Sequence, residues 1–560
     1  MFRILILGLG LIILFGVSAL DSAPAFAQAY RPDTCSPGLV WREAVAGDHE
    51  CVTPEQRAEA RAKRTAKPVE QPISSAPPTI SKPLPIGPGN WTFLIIAPEE
   101  FVPALQPLVQ HKNSTGMPTI AVSIAQLTSF FQGTDDPDKI KRGIQYGYEH
   151  LATQYVMLVG DAHWFPTRYM YMRKLSRFYP NHPHLPSLPV DGVYIPSDLF
   201  YANLYHHRIN RSRGFEVAPG PFDDWDANKN GFYNEATWLD ATNSNPDQVD
   251  GYPDVVVARV PAHSAADVTG YVNKIIRYET RRPGYSLFTF VADQRYPRST
   301  DISDSLVKKS RLNTRSEFLF VNNPEANAFP SHWVNASSAD LAKRVNVSVW
   351  VSYIGHGSVH GWDGPDFGIK LVKQTANNDA LPIVFSSGCL TGRFAIEAPF
   401  DSEYVDEFGM RHNFAPAAGA DPDNPSLPAM VDRVSGQTWG FKCPGCNRAP
   451  LIAPKPSPYD FDRGDLNFAY PWLISYPQGG AIAYFGEIGV MESWIGAEFE
   501  TYMLTTYQGG QRILGSIYLQ GAREYWRHHF GDSGSTDFHS ISRLYLGFLV
   551  FFGDPSLRIH

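Results

Sequence analysis

The chain has 560 residues, with 48 basic and 56 acidic side chains and a formal net charge of −8. Charged residues make up 19% and hydrophobic residues 43% of the sequence, a composition that fills a sizeable core and excludes wholesale disorder. The sequence has no basic stripe of the kind that follows phosphates, which argues against nucleic acid as a partner.

The first 27 residues have the features of a secretory signal. Met1-Phe2-Arg3 gives a positive start, and an apolar stretch follows from Ile4 to Leu20. Ala25-Phe26-Ala27 is a small-x-small cleavage site, so we predict that residues 1–27 are removed and that the mature protein is secreted or periplasmic. An uncleaved membrane anchor is the alternative. No later stretch reaches the roughly 20 apolar residues of a spanning helix, so no transmembrane segment is predicted after signal cleavage.

Residues 28–90 are predicted to form a Pro-rich N-terminal arm or pro-segment. A charged stretch, Gln56–Lys67, precedes Pro68–Pro88, which is rich in proline and serine and favours an extended linker. A solvated leader without a specific role is the alternative.

Export also determines how the five cysteines are interpreted, because cysteines tend to pair in an oxidising compartment. Closeness in the sequence predicts pairing of Cys35 with Cys51 and of Cys443 with Cys446. Cys389 is then left over as a free thiol. No second pair is present to complete a zinc site with Cys443 and Cys446, so these two are predicted to staple a loop.

From Trp91 onwards, short apolar runs alternate with segments of helical periodicity. Helices are predicted to begin at Asp136-Pro137 and at Ser264. The alternation predicts an α/β fold of mostly parallel sheets flanked by helices, in two side-by-side subdomains, residues 91–285 and 286–560, with a long insertion at about 397–463. The predicted buried strands are Phe93–Ala97, Thr119–Val122, Tyr155–Gly160, Asp254–Ala258, Leu287–Ala292, Glu317–Val321, Val345–Tyr353, Ile383–Ser387 and Ala481–Phe485.

The first subdomain contains a segment with the ligand spacing of a calcium loop. Asp226, Asn228 and Asn230 alternate before Gly231, and Glu235 adds a carboxylate. Alternating oxygen ligands around a glycine turn suit a hard cation, so a structural Ca²⁺ is predicted here. Thr237 stands at the twelfth position, where an EF-hand carries a bidentate Glu, and a polar surface turn is the alternative. No cofactor is predicted for catalysis.

Two predicted strands end in glycine-rich turns that carry a histidine and a cysteine. His356 lies between Gly355 and Gly357, and Cys389 follows His356 by 33 residues, which suits a βαβ crossover of about 30 residues. Because chemistry collects at the carboxyl ends of parallel strands, the two side chains are expected at one sheet edge. An imidazole there would lower the pKa of the thiol and give a thiolate, and the Gly357 and Cys389 N–H groups are suited to bind an oxyanion. A structural histidine and a core cysteine are the alternative.

These turns resemble the catalytic signature of gingipain-type cysteine peptidases, members of the caspase-like clan. The resemblance implies a caspase-like fold and an exported cysteine endopeptidase that acts on proteins or peptides through an acyl-thioester. It rests on Tyr353–Ser358 and Ser386–Cys389, and extends over roughly Trp91–Leu557 through Phe93–Pro98, His111–Gly116, Leu158–Asp161, Pro253–Ala262, Asn273–Glu279 and Phe552–Leu557.

The resemblance also implies catalytic roles for individual residues. His356 is the expected general base and acid, Cys389 the nucleophile, and Gly357 with Cys389 the pair of oxyanion donors. Asp293 is similar in position to the acidic residue that orients the histidine, although the family members considered carry Glu there. His360 is the alternative base, but it lacks the flanking pair of glycines.

A specificity pocket is implied in the same way. Asp304, or else Asp301, resembles the carboxylate that receives a basic residue before the scissile bond in Arg-cleaving members, and Trp494 resembles an aromatic wall of that pocket. A helix cap and an ordinary buried tryptophan are the alternatives. Two other functions stay open: a sortase-like transpeptidase, and a non-catalytic, calcium-stabilised surface or adhesion protein.

Overall fold

The chain divides into two compact units, residues 1–79 and 80–560. The described part of the first unit is one antiparallel strand pair, Val40–Trp41 with Cys51–Val52. The computed structural model describes residues 40–41, 51–52, 86–173, 192–210, 216–237, 245–281, 286–320, 331–417, 428–440, 452–459, 468–474, 479–532 and 541–559, apart from residues 294, 297, 365, 376, 378–379 and 400–402. The described residues do not include the predicted signal, most of the predicted arm, Cys35, Cys443 or Cys446.

The second unit is organised around one eleven-stranded sheet. Its strands, numbered here along the chain, are β1 Phe93–Ala97, β2 Thr119–Ser123, β3 Tyr155–Val159, β4 Val256–Val260, β5 Leu287–Ala292, β6 Ser316–Phe320, β7 Trp333–Asn335, β8 Ser348–Ile354, β9 Ile383–Ser387, β10 Ala483–Glu487 and β11 Leu549–Phe552. Their order across the sheet is β7-β6-β5-β8-β9-β10-β11-β4-β3-β1-β2.

The sheet consists of two parallel halves that run in opposite directions. Strands β5 to β10 pair in parallel, and so do β1 to β4 with β11. The halves meet at the antiparallel pair β10–β11. The strands of residues 93–260 form the first half, those of residues 287–487 form the second, and the last strand of the chain returns to the first half. Consequently the carboxyl ends of β5 to β10 all lie at one edge of the sheet. The division into two subdomains at residue 285 stays a prediction.

Helices cover the sheet, and their starts follow local capping. The Asp135 side chain accepts a hydrogen bond from Asp138 N at the start of the third helix, and Ser264 does the same for Asp267 N at the start of the fifth. Among the described residues no helix is long and apolar enough to cross a membrane. The α-helices are α1 Val102–Ser114, α2 Ile124–Phe130, α3 Asp136–His150, α4 Leu199–Ala202, α5 Ala265–Thr280, α6 Ser299–Ser310, α7 Ser338–Val345, α8 Ile369–Val372, α9 Ala469–Leu473, α10 Ser493–Gln508, α11 Leu514–Trp526 and α12 Ile541–Phe548, besides a 3₁₀ turn at Glu99–Phe101 and a π-helix at Arg527–Asp532.

Two predicted boundaries differ from the observed ones for identifiable reasons. The strand predicted from Val345 begins only at Ser348, because the preceding residues form α7. Ser337 and Asp340 make a capping box that starts this helix, so the apolar Val345 belongs to a helix face. The strand predicted over Ala481–Phe485 instead runs from Ala483 to Glu487, which brings a carboxyl group to the sheet edge.

The remaining strands form small sheets outside the main one. Within the predicted insertion, a four-stranded antiparallel sheet contains His412, whose Nε2 and Nδ1 each lie 3.1 Å from a carboxylate, of Asp406 and Asp432 respectively. These small strands are Tyr169–Arg173, Gly192–Pro196, Tyr205–Asn210, Glu216–Phe222, Tyr233–Thr237, Gly357–Ser358, Gly361–Asp363, Asp366–Gly368, Glu403–Val405, Arg411–Pro416, Pro428–Asp432 and Thr438–Gly440.

Candidate active site

His356 and Cys389 lie in turns that follow neighbouring parallel strands. Ile354, the last residue of β8, is paired across the sheet with Ser387, the last residue of β9. The next residue along the chain, Gly355, donates its N–H to the Ser387 carbonyl at 3.2 Å. Both turns therefore start from the same edge of the sheet, where chemistry collects in parallel α/β folds.

The glycine after His356 allows the two turns to touch. A Cβ atom on Gly357 would lie 3.1 Å from the Cys389 carbonyl oxygen and 2.6 Å from Cγ2 of Thr391. The second distance is too short for any side chain, so residue 357 has to be glycine unless the turns separate. The Gly357 backbone thus lies against the cysteine turn.

Asp293 holds the imidazole of His356 in one orientation. It follows β5, the other neighbour of β8, and is only 1% exposed. Its Oδ2 lies 2.8 Å from His356 Nδ1 and also accepts the His356 backbone N–H at 3.3 Å. A carboxylate next to Nδ1 assigns the proton to that nitrogen and leaves Nε2 as the acceptor. The ring itself is 48% exposed, so Nε2 can be reached by a substrate.

Asp293 is ionised despite its burial. Burial acts to raise its pKa, but the hydrogen bonds from His356 and Arg295 outweigh that effect and hold the pKa of this carboxyl below its ordinary value. Arg295 donates its backbone N–H to Asp293 Oδ1 at 3.0 Å and its Nε to the same atom at 3.3 Å. A Cβ on Gly355 would overlap Cβ of Asp293, so this glycine also permits the close approach.

Cys389 is a half-buried free thiol. Its Sγ donates to the Met491 carbonyl at 3.4 Å. Burial first, and then the nearby carboxyl of Glu487, raise the pKa of Cys389 to about 12. Burial is thus the main effect that disfavours the anion, and the thiolate expected from the sequence stays a prediction.

A cavity of about 600 Å³ opens next to the histidine, between α6 and the start of α10. Tyr296 connects it to the catalytic turn: its ring packs edge-on against His356 at 5.5 Å, and its hydroxyl donates to Glu492 Oε2 at 2.9 Å. Three carboxyl groups and two basic side chains face the cavity. Its lining residues are Tyr296, Arg298, Asp301, Ile302, Ser305, Leu306, Lys309, Glu492, Trp494, Ala497, Glu498 and Thr501.

The structure separates the two predicted pocket carboxylates. Asp301 and Trp494 line the cavity, and the tryptophan is 42% exposed. Asp304 does not line it; its Oδ1 lies 2.8 Å from His332 Nε2 and accepts from Trp333 Nε1 at 3.2 Å. The cavity residues of α6 repeat at intervals of three and four, which is one helix face, and position 304 falls outside that face.

The predicted calcium loop closes on itself through amide and carboxylate groups. The Asn228 and Asn230 side-chain amides donate to Glu235 Oε2 at 3.0 and 2.5 Å, and Asp226 Oδ1 accepts the Asn230 backbone N–H at 2.9 Å. Asp247, which the sequence did not indicate, accepts the Glu235 N–H at 2.8 Å. In the part of the chain that is described, no group of three or more His, Cys, Asp or Glu side chains is arranged to hold a metal ion.

Several residues at the site were not identified from the sequence. Arg295 and Tyr296 follow Asp293 within three residues, and Glu487 ends a strand at the same sheet edge. Polar residues directly after buried strands were the signal that could have identified them. The alternative base, His360, is exposed, and its backbone N–H donates to Ser358 Oγ at 3.3 Å.

Residues 88–420 match the sequence profile of peptidase family C25. Gingipain R2 and Gingipain R1 of Porphyromonas gingivalis are each 23% identical to the chain over 163 residues, or 28% of its length. That aligned part spans 21% of Gingipain R2 and 16% of Gingipain R1. A crystal structure of the Arg-specific cysteine proteinase gingipain R is similar with a TM-score of 0.48 at 14% sequence identity, covering 86% of this chain and 80% of that one.

Proposed function

The chain belongs to peptidase family C25, and on that premise we propose that it is an exported cysteine endopeptidase that cleaves peptide bonds after basic residues. One observation supports the proposal best: the buried Asp293 carboxylate orients His356, and the strand that leads to this histidine neighbours the strand that leads to Cys389. Such an arrangement gives a general base with a free Nε2 at the sheet edge from which the thiol projects.

The chemistry begins with a neutral thiol. His356 Nε2 takes the proton from Cys389 as Sγ attacks the peptide carbonyl, so thiolate formation and attack are coupled and no resting thiolate is needed. Asp293 stabilises the imidazolium that forms. The N–H groups of Gly357 and Cys389 stabilise the oxyanion of the tetrahedral intermediate.

Collapse of that intermediate breaks the C–N bond, and His356 gives its proton to the departing amine. The acyl group is then held as a thioester on Cys389. Water, deprotonated by His356, attacks the thioester and releases the acid product and the thiol. If an amine resolved the thioester instead, the same residues would catalyse transpeptidation.

The cavity next to His356 is the proposed site for the basic side chain of the substrate. Asp301, rather than Asp304, is the proposed carboxylate partner for its charge, with Glu492 and Glu498 on the other wall. A guanidinium can bind a carboxylate through two hydrogen bonds and stack on an indole, which suits the combination of Asp301 and Trp494. A solved relative that is named Arg-specific supports the same preference.

A structural Ca²⁺ at the Asp226–Glu235 loop is part of the proposal and has no role in the chemistry. Asp247 supports it: this residue is buried, and its Oδ1 has no hydrogen-bond partner among the described residues. Burial chiefly, and then repulsion from Glu235, raise the pKa of Asp247 to about 7. A cation held by Asp226, Asn228, Asn230, Glu235 and Asp247 would compensate these acidic groups and stabilise the loop.

The test uses residues 28–560 and the Cys389→Ala variant, each incubated with a diverse peptide mixture and analysed by mass spectrometry. We expect cleavage after Arg and Lys by the parent protein only. Equal cleavage by both proteins would contradict Cys389 as nucleophile, and cuts after other residues would contradict the proposed pocket. New peptide–amine products would identify a transpeptidase, and intact peptides throughout would favour a non-catalytic binding protein.

A further inference from the structure

Glu487 is a buried carboxyl group next to the cysteine turn. It is the last residue of β10, the strand that neighbours β9, and its backbone carbonyl accepts the Gly392 N–H at 2.8 Å. The side chain is 0% exposed. Within the described residues no hydrogen bond of ordinary geometry reaches either carboxyl oxygen, although the Tyr545 hydroxyl interacts with the carboxyl. Such a group is costly in its ionised form, so burial keeps it neutral unless the pH is high.

Two further buried polar groups, the hydroxyls of Ser387 and Tyr545, lie next to it. A Cβ on Gly496 would overlap Ser387 Oγ and would lie 2.8 Å from the Tyr545 hydroxyl and 2.9 Å from Glu487 Oε1. Among the described residues, Ser387 Oγ makes no hydrogen bond of ordinary geometry, and the Tyr545 hydroxyl interacts with the Glu487 carboxyl without reaching that geometry. Ser387 comes two residues before Cys389, so this polar cluster lies directly beside the strand end that leads to the nucleophile.

Among the residues that the structure describes, no positive charge faces Glu487 from the elements packed around it. The titratable groups that interact with it are Cys389 on the turn after β9, Glu492 on the loop after β10, and the phenols of Tyr296, Tyr484 and Tyr545. The described part of the chain contains no Lys, Arg or His paired with this carboxyl. An ionised Glu487 would therefore act on the Cys389 thiol through an uncompensated negative charge in a buried region, where such effects are strong.

We propose that Glu487 is a positioning residue that works as a neutral acid and that its ionisation at alkaline pH suppresses the reactivity of Cys389. The proposal deepens the proposed function, on which its relevance to catalysis rests. Burial raises the pKa of Glu487 to about 8, in agreement with a change of charge in the mildly alkaline range. The carboxyl touches neither substrate nor reacting atom and acts only by changing the electrostatic potential at the thiol.

The test follows the titration of the thiol directly. The second-order rate of Cys389 alkylation by iodoacetamide is measured from pH 6 to 10 in the parent protein and in Glu487→Gln, which is uncharged at every pH. Below about pH 8 the two proteins should react alike, because Glu487 is then neutral. Above it the variant should react about tenfold faster, which corresponds to one unit in the pKa of the thiol. In parallel, kcat/KM of the parent should fall above pH 8 and that of the variant should not.

Glu500→Gln is the matched control. Glu500 is equally buried, and burial likewise raises its pKa to about 8, but its carboxyl binds Trp350 Nε1 and Ser352 Oγ and does not contribute to the raised pKa of Cys389. The proposal would be overturned if the alkylation rates of the parent and Glu487→Gln depended on pH in the same way. It would also be overturned if Glu500→Gln showed the same increase in rate as Glu487→Gln. If Glu487→Gln does not fold, Glu487→Leu, also uncharged, takes its place. An alkylation shift without peptide cleavage by any of the proteins would contradict the proposed function and leave the role of Glu487 intact.

Discussion

Replacing Asp293 by asparagine should remove most of the proposed catalytic activity while preserving the fold. The side chain keeps its shape, but the negative charge 2.8 Å from His356 Nδ1 disappears. At an effective dielectric of about 20, a charge pair at this distance contributes about 6 kcal/mol to the imidazolium that forms during catalysis. His356 is 48% exposed, and solvent screening reduces that contribution to about 3 kcal/mol. The expected loss in kcat/KM is therefore about 100-fold.

The assay compares kcat/KM for a fluorogenic peptide with arginine before the scissile bond. Asp432→Asn is the control, because it removes a similar carboxylate, 3.1 Å from Nδ1 of the buried His412, in the separate sheet of the insertion. The control should retain at least half of the parental activity, and circular dichroism should give the same spectrum for all three proteins. Asp293→Glu restores the charge and should recover activity beyond that of the asparagine variant.

Two results would refute the reasoning. If Asp293→Asn kept more than half of the parental kcat/KM, the carboxylate would not stabilise the imidazolium. If both asparagine variants lost activity equally, the effect would come from general destabilisation, since His412 lies in the separate four-stranded sheet and His356 in the turn after β8 of the main sheet.

Three further predictions concern the pocket, pH and calcium. Asp301→Asn should lower kcat/KM for arginine peptides about tenfold or more, whereas Asp304→Asn should change it less than twofold. A larger loss in Asp304→Asn than in Asp301→Asn would indicate that Asp304, and not Asp301, binds the basic side chain of the substrate. The Glu500 pKa rises from its ordinary 4.5 to about 8 on folding. Between these pH values the folded state keeps a proton that the unfolded state loses, so the free energy of unfolding falls as the pH rises from 4.5 to 8. Between pH 4.5 and 7 the free energy of unfolding from denaturant titrations should fall by about 3 kcal/mol more in the parent than in Glu500→Gln. If the free energies of the two proteins changed with pH in parallel, the prediction of a neutral buried Glu500 would be contradicted. Calcium should raise the Tm of the parent but not of Asp247→Asn, and an equal rise in both would exclude Asp247 as a ligand.

The sequence by itself determined the local elements and the two turns that carry the proposed dyad. Phe93–Ala97 and Ile383–Ser387 are continuous apolar runs of strand length, and both form strands with the predicted bounds. Ser264 is a helix cap that depends only on its near neighbours, and α5 follows it as expected. Glycines around His356 signalled a close approach of backbones, which is a local requirement that sequence records directly.

The tertiary structure alone decided the features that depend on packing between distant segments. Asp301 and Asp304 both lie on α6, and only the rotation of that helix against α10 places the former in the cavity. The last strand, Leu549–Phe552, joins the two sheet halves through its antiparallel pairing with β10, which no local pattern encodes. The raised pKa of Cys389 depends on burial and on Glu487, about a hundred residues away in the chain. Local patterns specify helices and strands. Folding decides which groups surround an ionisable side chain, and so its pKa, and which face of a helix lines a cavity.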